Sequence, residues 1–237
     1  TTPATFAGCL AIANAEVLSQ LVVIQLRNPG APVIYGGVPS IMDMKTTIFS
    51  YGAPELSLMV GALTELCHHY RLPMFGAAGC TDAKLVGIQA GVEFTRQILI
   101  TKLTGADLVH DAGYIHHGRV KSPEALVLIN EIIDMVDVLM GGIEINDETL
   151  ALDLIERLGP RATFLGEAHT LKHFRKFWVP RLFDRSFSKE DGQDCEELLN
   201  KRTIQIFETH QPKPRPDDLV KELNKVDKIT IKFTGIL

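Results

Sequence analysis

With 237 residues, 46% of them apolar, the chain has material for one or two domains with a large core, which excludes a disordered protein. A net charge of −5 with no basic stripe argues against nucleic-acid binding. Cys9, Cys67, Cys80 and Cys195 lack CxxC spacing, which argues against a disulfide framework or structural zinc and points to a reducing, cytoplasmic compartment.

No apolar run reads as membrane-spanning and no signal peptide leads the chain. The chain begins on Thr1-Thr2-Pro3 with a helical pattern already under way and no initiator Met, so truncation or processing is expected. Pro3 to Leu26 reads as a helix, because Phe6, Leu10, Ala13, Val17, Leu21 and Ile24 recur at helical spacing; Asn28-Pro29-Gly30 ends it. Pro32 to Tyr35 is a short β-like run closed by Gly36-Gly37. A polar, Met-rich loop with Asp43, Met44, Lys45 and Tyr51 follows. Pro54 sits at a favoured first-turn position, and Leu56, Met59, Val60, Leu63, Cys67 and Tyr70 form one helical face.

The stretch Pro73–Glu93 is the most informative. A short strand from Pro73 to Phe75 enters the small-residue turn Gly76-Ala77-Ala78-Gly79. Cys80, Thr81, Asp82 and Lys84 come next, and a helical pattern runs to Leu103 and stops at Gly105. Thr81 or Asp82 is expected to cap that helix. Asp107 to His110 forms a third strand, and Asp111-Ala112-Gly113-Tyr114 a loop. Ser122-Pro123-Glu124 opens a helix that runs to about Met140 and ends at Gly141-Gly142. Strand starts near Pro32, Pro73 and Asp107 have the spacing of successive βα units.

From Asn146 the pattern becomes helical. Asn146 or Asp147 caps a helix through Leu158, Ala168 to Phe177 is helical and aromatic, and Glu196 to Phe207 is helical. Pro212, Pro214 and Pro216 form a stiff spacer. A charged helix from Asp218 to about Val226 and a β-like tail ending Gly235-Ile236-Leu237 complete the chain. The expected organisation is α/β: βα units over residues 1–145 and a helical extension over 146–237. Three parallel strands cannot close a barrel, so the units form an open piece or part of a larger barrel.

Several of these stretches together resemble the trimethylamine methyltransferase family of corrinoid-dependent enzymes. They are Pro29-Gly30-Ala31-Pro32-Val33-Ile34-Tyr35-Gly36, the Gly79–Lys84 turn, Gln89-Ala90-Gly91-Val92-Glu93 and His110-Asp111-Ala112-Gly113-Tyr114. The resemblance implies a (β/α)8 TIM barrel about twice this length, of which this chain is the C-terminal portion with a C-terminal helical extension. It implies methyl transfer to the Co(I) of a corrinoid (cobalamin) held by a cognate corrinoid protein. Family members acting on trimethylamine carry a pyrrolysine in the turn occupied here by Gly79-Cys80-Thr81. Its absence resembles the members that demethylate quaternary amines such as glycine betaine.

That substrate class suits the chemistry. A quaternary ammonium expels a neutral amine without a general acid, so the enzyme mainly positions the methyl group and excludes water. The cation calls for aromatic faces or carboxylates. His110, Tyr35, Cys80, Asp82, Lys84, Asp111, Tyr114, Gln89 and Glu93 are the candidate substrate-binding residues, and the first four with Lys84 are expected to converge in one cavity at the strand ends. A substrate carboxylate would be met by Lys84, His110 or the turn amides. Plainer readings compete: Asp82 as a cap, Cys80 as a small buried residue, Gln89 and Glu93 as an exposed polar face. His169 and His173 share a helix face but lack a third ligand, so no metal is expected. Arg175, Lys176, Arg181 and Arg185 with Phe174, Phe177 and Trp178 either pack internally or dock an acidic partner. Rival functions are a trimethylamine-type methyltransferase, a non-catalytic betaine- or partner-binding half-barrel, and an unrelated barrel lyase or aldolase, whose Schiff-base lysine would normally sit on a strand, whereas Lys84 lies past one. Open sheet edges invite homo-oligomers.

Overall fold

The computed structural model describes residues 2–186, 192 and 194–234, with side chains to residue 225. The chain forms two compact units, Thr1–Thr203 and Ile204–Leu237. The first unit holds the βα units together with residues 146–203.

The first unit opens with α1 (Phe6–Arg27), capped by Thr5, whose side chain accepts from the Gly8 amide. At 22 residues α1 is long and apolar enough to cross a membrane, which corrects the expectation that no run reaches that length. Its Leu10, Ala13 and Val17 pack against buried residues of α2 (Pro54–Tyr70) and the sheet, while Val22, Val23 and Leu26 are exposed. Leu56, Val60, Leu63 and Cys67 bury one face of α2. Each buried large aliphatic side chain stabilises by about 1.5–3 kcal/mol relative to exposure.

Three parallel strands, β1 (Tyr35–Gly36), β2 (Met74–Ala77) and β3 (Leu108–His110), form a sheet in the order β1-β2-β3. Tyr35 pairs with Met74, and Ala77 with His110, so the three carboxyl ends lie on one side, as the spacing predicts. The ladder is short, and side chains supplement it: the Met74 amide donates to Asp107 Oδ2 at 2.8 Å. β1 is confined to Tyr35–Gly36 rather than running from Pro32.

After β2 the chain does not turn at once into a helix. α3 (Ile88–Thr104) starts at Gly87 without a side-chain cap, which corrects the expected capping by Thr81 or Asp82. Those two residues lie in the ten-residue connection 78–87 and bond elsewhere. Gly105, in the left-handed region, ends α3. The segment after β3 carries a small antiparallel hairpin, β4 (Tyr114–Ile115) with β5 (Val120–Lys121), where only a loop is expected. α4 (Pro123–Met140) begins with Ser122 accepting from the Ala125 amide. Phe94 and Ile98 of α3 and Ile129, Ile132 and Val136 of α4 form a second core, joined by Leu182 and Leu199.

The helix expected from Asn146 to Leu158 is two helices, α5 (Asp147–Leu150) and α6 (Leu152–Leu158), because Ala151 adopts φ 50°. α7 (Ala168–His173) tightens into a 3-10 turn, Phe174–Lys176. The Glu131 carboxylate, 2% exposed, accepts from the backbone amides of Arg181 and Leu182 and pairs with the Arg181 side chain. This ties the aromatic segment back onto α4. The boundary between the units falls within α8 (Cys195–Thr209). In the second unit α9 (Asp217–Thr234) continues through residues expected to be a β-like tail, correcting that reading; Gly235-Ile236-Leu237 lie outside the described residues.

Candidate functional site

Three connections meet at the carboxyl ends of the strands: residues 37–53 after β1, 78–87 after β2 and 111–118 after β3. Asp82 joins them. Its Oδ1 accepts from the Tyr51 amide at 2.8 Å and lies 3.0 Å from His117 Nδ1, and its Oδ2 accepts from Ser50 Oγ.

The turn that carries Cys80 is clamped from below by α3. Gln97 is 1% exposed and uses its whole amide: Oε1 accepts from the Gly79 and Cys80 amides, and Nε2 donates to the Tyr51 and Cys80 carbonyls. One turn earlier Glu93 Oε2 accepts from Thr81 Oγ1 at 2.5 Å and from the Asp82 amide at 3.0 Å, while its Oε1 accepts from Gln89 Nε2. Arg96 donates to the Gly52 and Ala53 carbonyls. Gly79 adopts φ 85°, and a Cβ there would lie 2.9 Å from Ala112 Cα, so both conformation and packing require glycine.

Cys80 is buried, and its strand-like bridge to Tyr114 fixes its backbone. Burial first, then the charges of Asp111, Asp82 and Glu93, push its thiol up to about 12. It stays a protonated thiol at neutral pH and is unsuited to act as a nucleophile. Burial, with Asp111 next, also raises the Tyr51 hydroxyl. His110 Nδ1 lies 2.9 Å from Asp111 Oδ1, and its ring centroid is 4.5 Å from that of Phe75. Lys121 Nζ sits 4.8 Å over the Tyr114 ring. Asp111, His116 and His117 have φ of 72°, 54° and 57°, uncommon for residues other than glycine.

The structure thus brings together Cys80, Asp82, Glu93 with Gln89, Asp111 with His110, and Tyr114. Two residues do not join them. Tyr35 is fully buried in the first core, donates to Asn14 Oδ1 of α1 at 2.9 Å, and has its hydroxyl pushed up to about 12 by burial, then by Tyr70 and Cys67. Lys84 is exposed. A groove of about 410 Å³ lies between α1 and the connection after β1, lined by Cys9, Val17, Gly37, Ser40 and Phe49 among others, and includes none of the candidate residues.

Sequence reasoning missed Gln97, Ser50 and His117. The polar stripe Gln89, Glu93, Gln97, four residues apart on one helix face, is the signal that finds the first. Outside the cluster, His169 Nε2 lies 3.1 Å from the Glu148 carbonyl and His173 Nε2 3.2 Å from its carboxylate, which Lys172 also engages. Arg181 is held by Glu131 and Asp134, and Arg185 stacks on Trp178, so part of the basic aromatic segment is used internally.

A parallel α/β unit with a carboxylate- and histidine-rich cluster at its strand ends has the layout of an enzyme site. The trimethylamine methyltransferase (MTTB) family model matches residues 1–230, and the chain belongs to that family. It is 35% identical to trimethylamine methyltransferase MttB of Desulfitobacterium hafniense (strain DSM 10664 / DCB-2), with all of this chain covering 48% of that protein. It is 38% identical over 188 residues to the glycine betaine methyltransferase of Desulfitobacterium hafniense (strain Y51), covering 78% of this chain and 39% of that one. Identity to MttB of Methanosarcina thermophila is 35%, over 93% of this chain and 47% of that protein. The chain spans about half the length of these curated relatives or less.

Proposed function

We propose that the chain is the C-terminal portion of a (β/α)8 barrel enzyme that transfers a methyl group from a quaternary amine of the glycine betaine type to the Co(I) of a corrinoid protein. The observation that carries the reading is the state of Cys80. It occupies the turn where, by family resemblance, trimethylamine-type members carry pyrrolysine, and it is a buried, protonated thiol. The site therefore fits a nucleophile supplied from outside and a substrate whose leaving group is already activated by its own positive charge. The corrinoid, carried by the partner, supplies that nucleophile.

This chain's residues bind and orient. Asp82, Asp111 and Glu93 give the strand ends a negative field that attracts an organic cation. Phe75, 40% exposed, and Tyr114 offer aromatic faces. His110, its Nδ1 beside Asp111, presents the rest of its ring to a substrate carboxylate. A cytoplasmic setting, docking of the corrinoid protein through the exposed Arg175 and Phe177, and self-association through open sheet edges belong to the same proposal.

The test is a thermal-shift series with glycine betaine, choline, trimethylamine and dimethylamine. Ligands that bind the native state alone raise the melting temperature. Quaternary amines are expected to give the largest shifts. A shift for trimethylamine alone would favour the trimethylamine-type reading, and no shift with any amine would refute amine binding by this chain.

A further inference from the structure

Large aliphatic side chains scattered singly over a surface need no explanation, but a cluster of them beside a site does. Leu85, Ile88 and Val92 are 80%, 88% and 65% exposed, and they lie close together on the connection after β2 and the first turns of α3. Ile88 and Val92 are one turn apart and share a helix face. Gly91 leaves that surface open, because a Cβ built there meets nothing within 4 Å. The backbone beneath is anchored. Val86 packs against the second core, and Ala90 and Phe94 are buried within it. Glu93, next to Val92, accepts from Thr81 Oγ1 and the Asp82 amide of the strand-end cluster. The three aliphatics are therefore held outward on a rigid segment that is tied to the site.

What covers this patch follows from topology and from the reaction. β2 is the middle strand of the sheet and is paired on both sides. Chain that extends the sheet joins at β1 or β3 and leaves the connection after β2 open. A group that arrives at the strand ends from outside meets this rim. In the reaction proposed above that group is a corrinoid, and methyl transfer requires the acceptor in contact with the methyl carbon. A corrin macrocycle is far wider than a methyl group, so with its centre over the strand ends its periphery lies on the rim. That periphery is studded with methyl groups and amide-bearing arms. It packs on bare aliphatic side chains and asks for no charged partner.

We propose that Leu85, Ile88 and Val92 form the seat for the edge of the corrinoid macrocycle. The inference rests on the methyl-transfer reading above and adds to it the part of this chain that meets the acceptor. Release of water from the three side chains and from the methyl-lined edge supplies the attraction. The seat lies on the rim and not among the groups assigned to the amine, so substitution separates the two binding events.

Cyanocobalamin is the probe, because both axial positions of its cobalt are filled and it cannot ligate histidine. Equilibrium dialysis of the full chain against it reads binding by visible absorbance, without turnover. The wild type should bind saturably. The double variant Leu85→Ser/Ile88→Ser should raise the dissociation constant about tenfold or more, since each aliphatic removed loses its burial on binding. Urea stability and the glycine betaine thermal shift should stay unchanged in that variant, because both side chains already face water. Proximity is read separately. With Cys9 and Cys195 replaced by Ser, a fluorophore on Ile88→Cys should be quenched by bound cobalamin, and one on Leu103→Cys, about 22 Å further along α3, should not. A wild type that binds no cobalamin, a double variant that binds it equally well, or equal quenching at the two positions overturns the proposal and leaves amine binding standing. Wild-type dimers in sedimentation that are lost in the double variant assign the patch to a second copy and overturn it too. A wild type that binds cobalamin at Ile88 but gives no betaine shift refutes the amine reading alone and leaves the seat supported.

Discussion

Gln97→Leu is the sharpest test of how the Cys80 turn is built. The substitution keeps the bulk of a side chain that is 1% exposed and removes all four of its hydrogen bonds. The amides of Gly79 and Cys80 lose their acceptor inside the protein, and each orphaned donor costs about 1–3 kcal/mol. The Tyr51 and Cys80 carbonyls lose a donor, a smaller penalty because a carbonyl is easier to satisfy otherwise. The sum is about 3–5 kcal/mol, a large share of the roughly 5–15 kcal/mol that holds a domain folded. Urea unfolding with an unchanged m-value measures it. Alkylation of Cys80 at pH 8 reports on the turn itself: burial protects the wild-type thiol, and the variant should react faster. Gln97→Glu adds a pH arm. The introduced carboxyl keeps an acceptor but faces two carbonyls, so its pKa is raised in the folded state. The stability it restores is present below its unfolded pKa and lost as pH rises. A loss below about 1 kcal/mol for Gln97→Leu, with Cys80 still protected, would refute the clamp.

Replacing His110 by Ala should weaken betaine binding by about 1–3 kcal/mol in calorimetry, with a smaller change in urea stability. Glu131→Leu should cost about 2–4 kcal/mol in urea, because two backbone amides lose a buried acceptor, whereas Arg181→Ala, at a half-exposed side chain, should cost about 1 kcal/mol. The Glu148 carboxyl is held below its usual 4.5 by the hydrogen bond and charge of Lys172, then by His173. It therefore favours the α5–α7 contact above that value and loses the contribution as pH falls; an NMR titration of Lys172→Ala should show its midpoint rise.

Much of the fold is local and so was legible in the sequence. Apolar spacing marks α2, α3 and α4, Ser122 and Gly105 mark boundaries, and the regular distance between strands implies the parallel sheet. The errors arise where distant partners override local chemistry. Thr81 and Asp82 have the composition of a helix cap, yet Glu93, Ser50 and Tyr51 claim their polar groups, and the helix starts at Ile88. Tyr35 stands at a strand end like a site residue, but Asn14, 21 positions earlier, draws its hydroxyl into the core. For Arg181 internal packing and docking both stay open until Glu131, 50 positions away, is placed beneath it. The β-branched residues after Val226 suggest a strand, but they continue α9 to Thr234. His117 gave no periodic signal, because its position depends on a hairpin whose strands are two residues each.

The left-handed backbone at Asp111, His116 and His117 bears on how this protein can be engineered. Glycine at any of the three would relax the loop, by roughly 1 kcal/mol each. A library screened for heat tolerance would therefore enrich glycine at these positions and strip one carboxylate and two imidazoles from the strand ends. Thermostable variants gained that way would stay folded while losing Asp111, proposed to attract the cation, and two imidazoles of the same connection. Any stabilisation campaign should keep these three codons fixed and seek its gains on the outer faces of the helices.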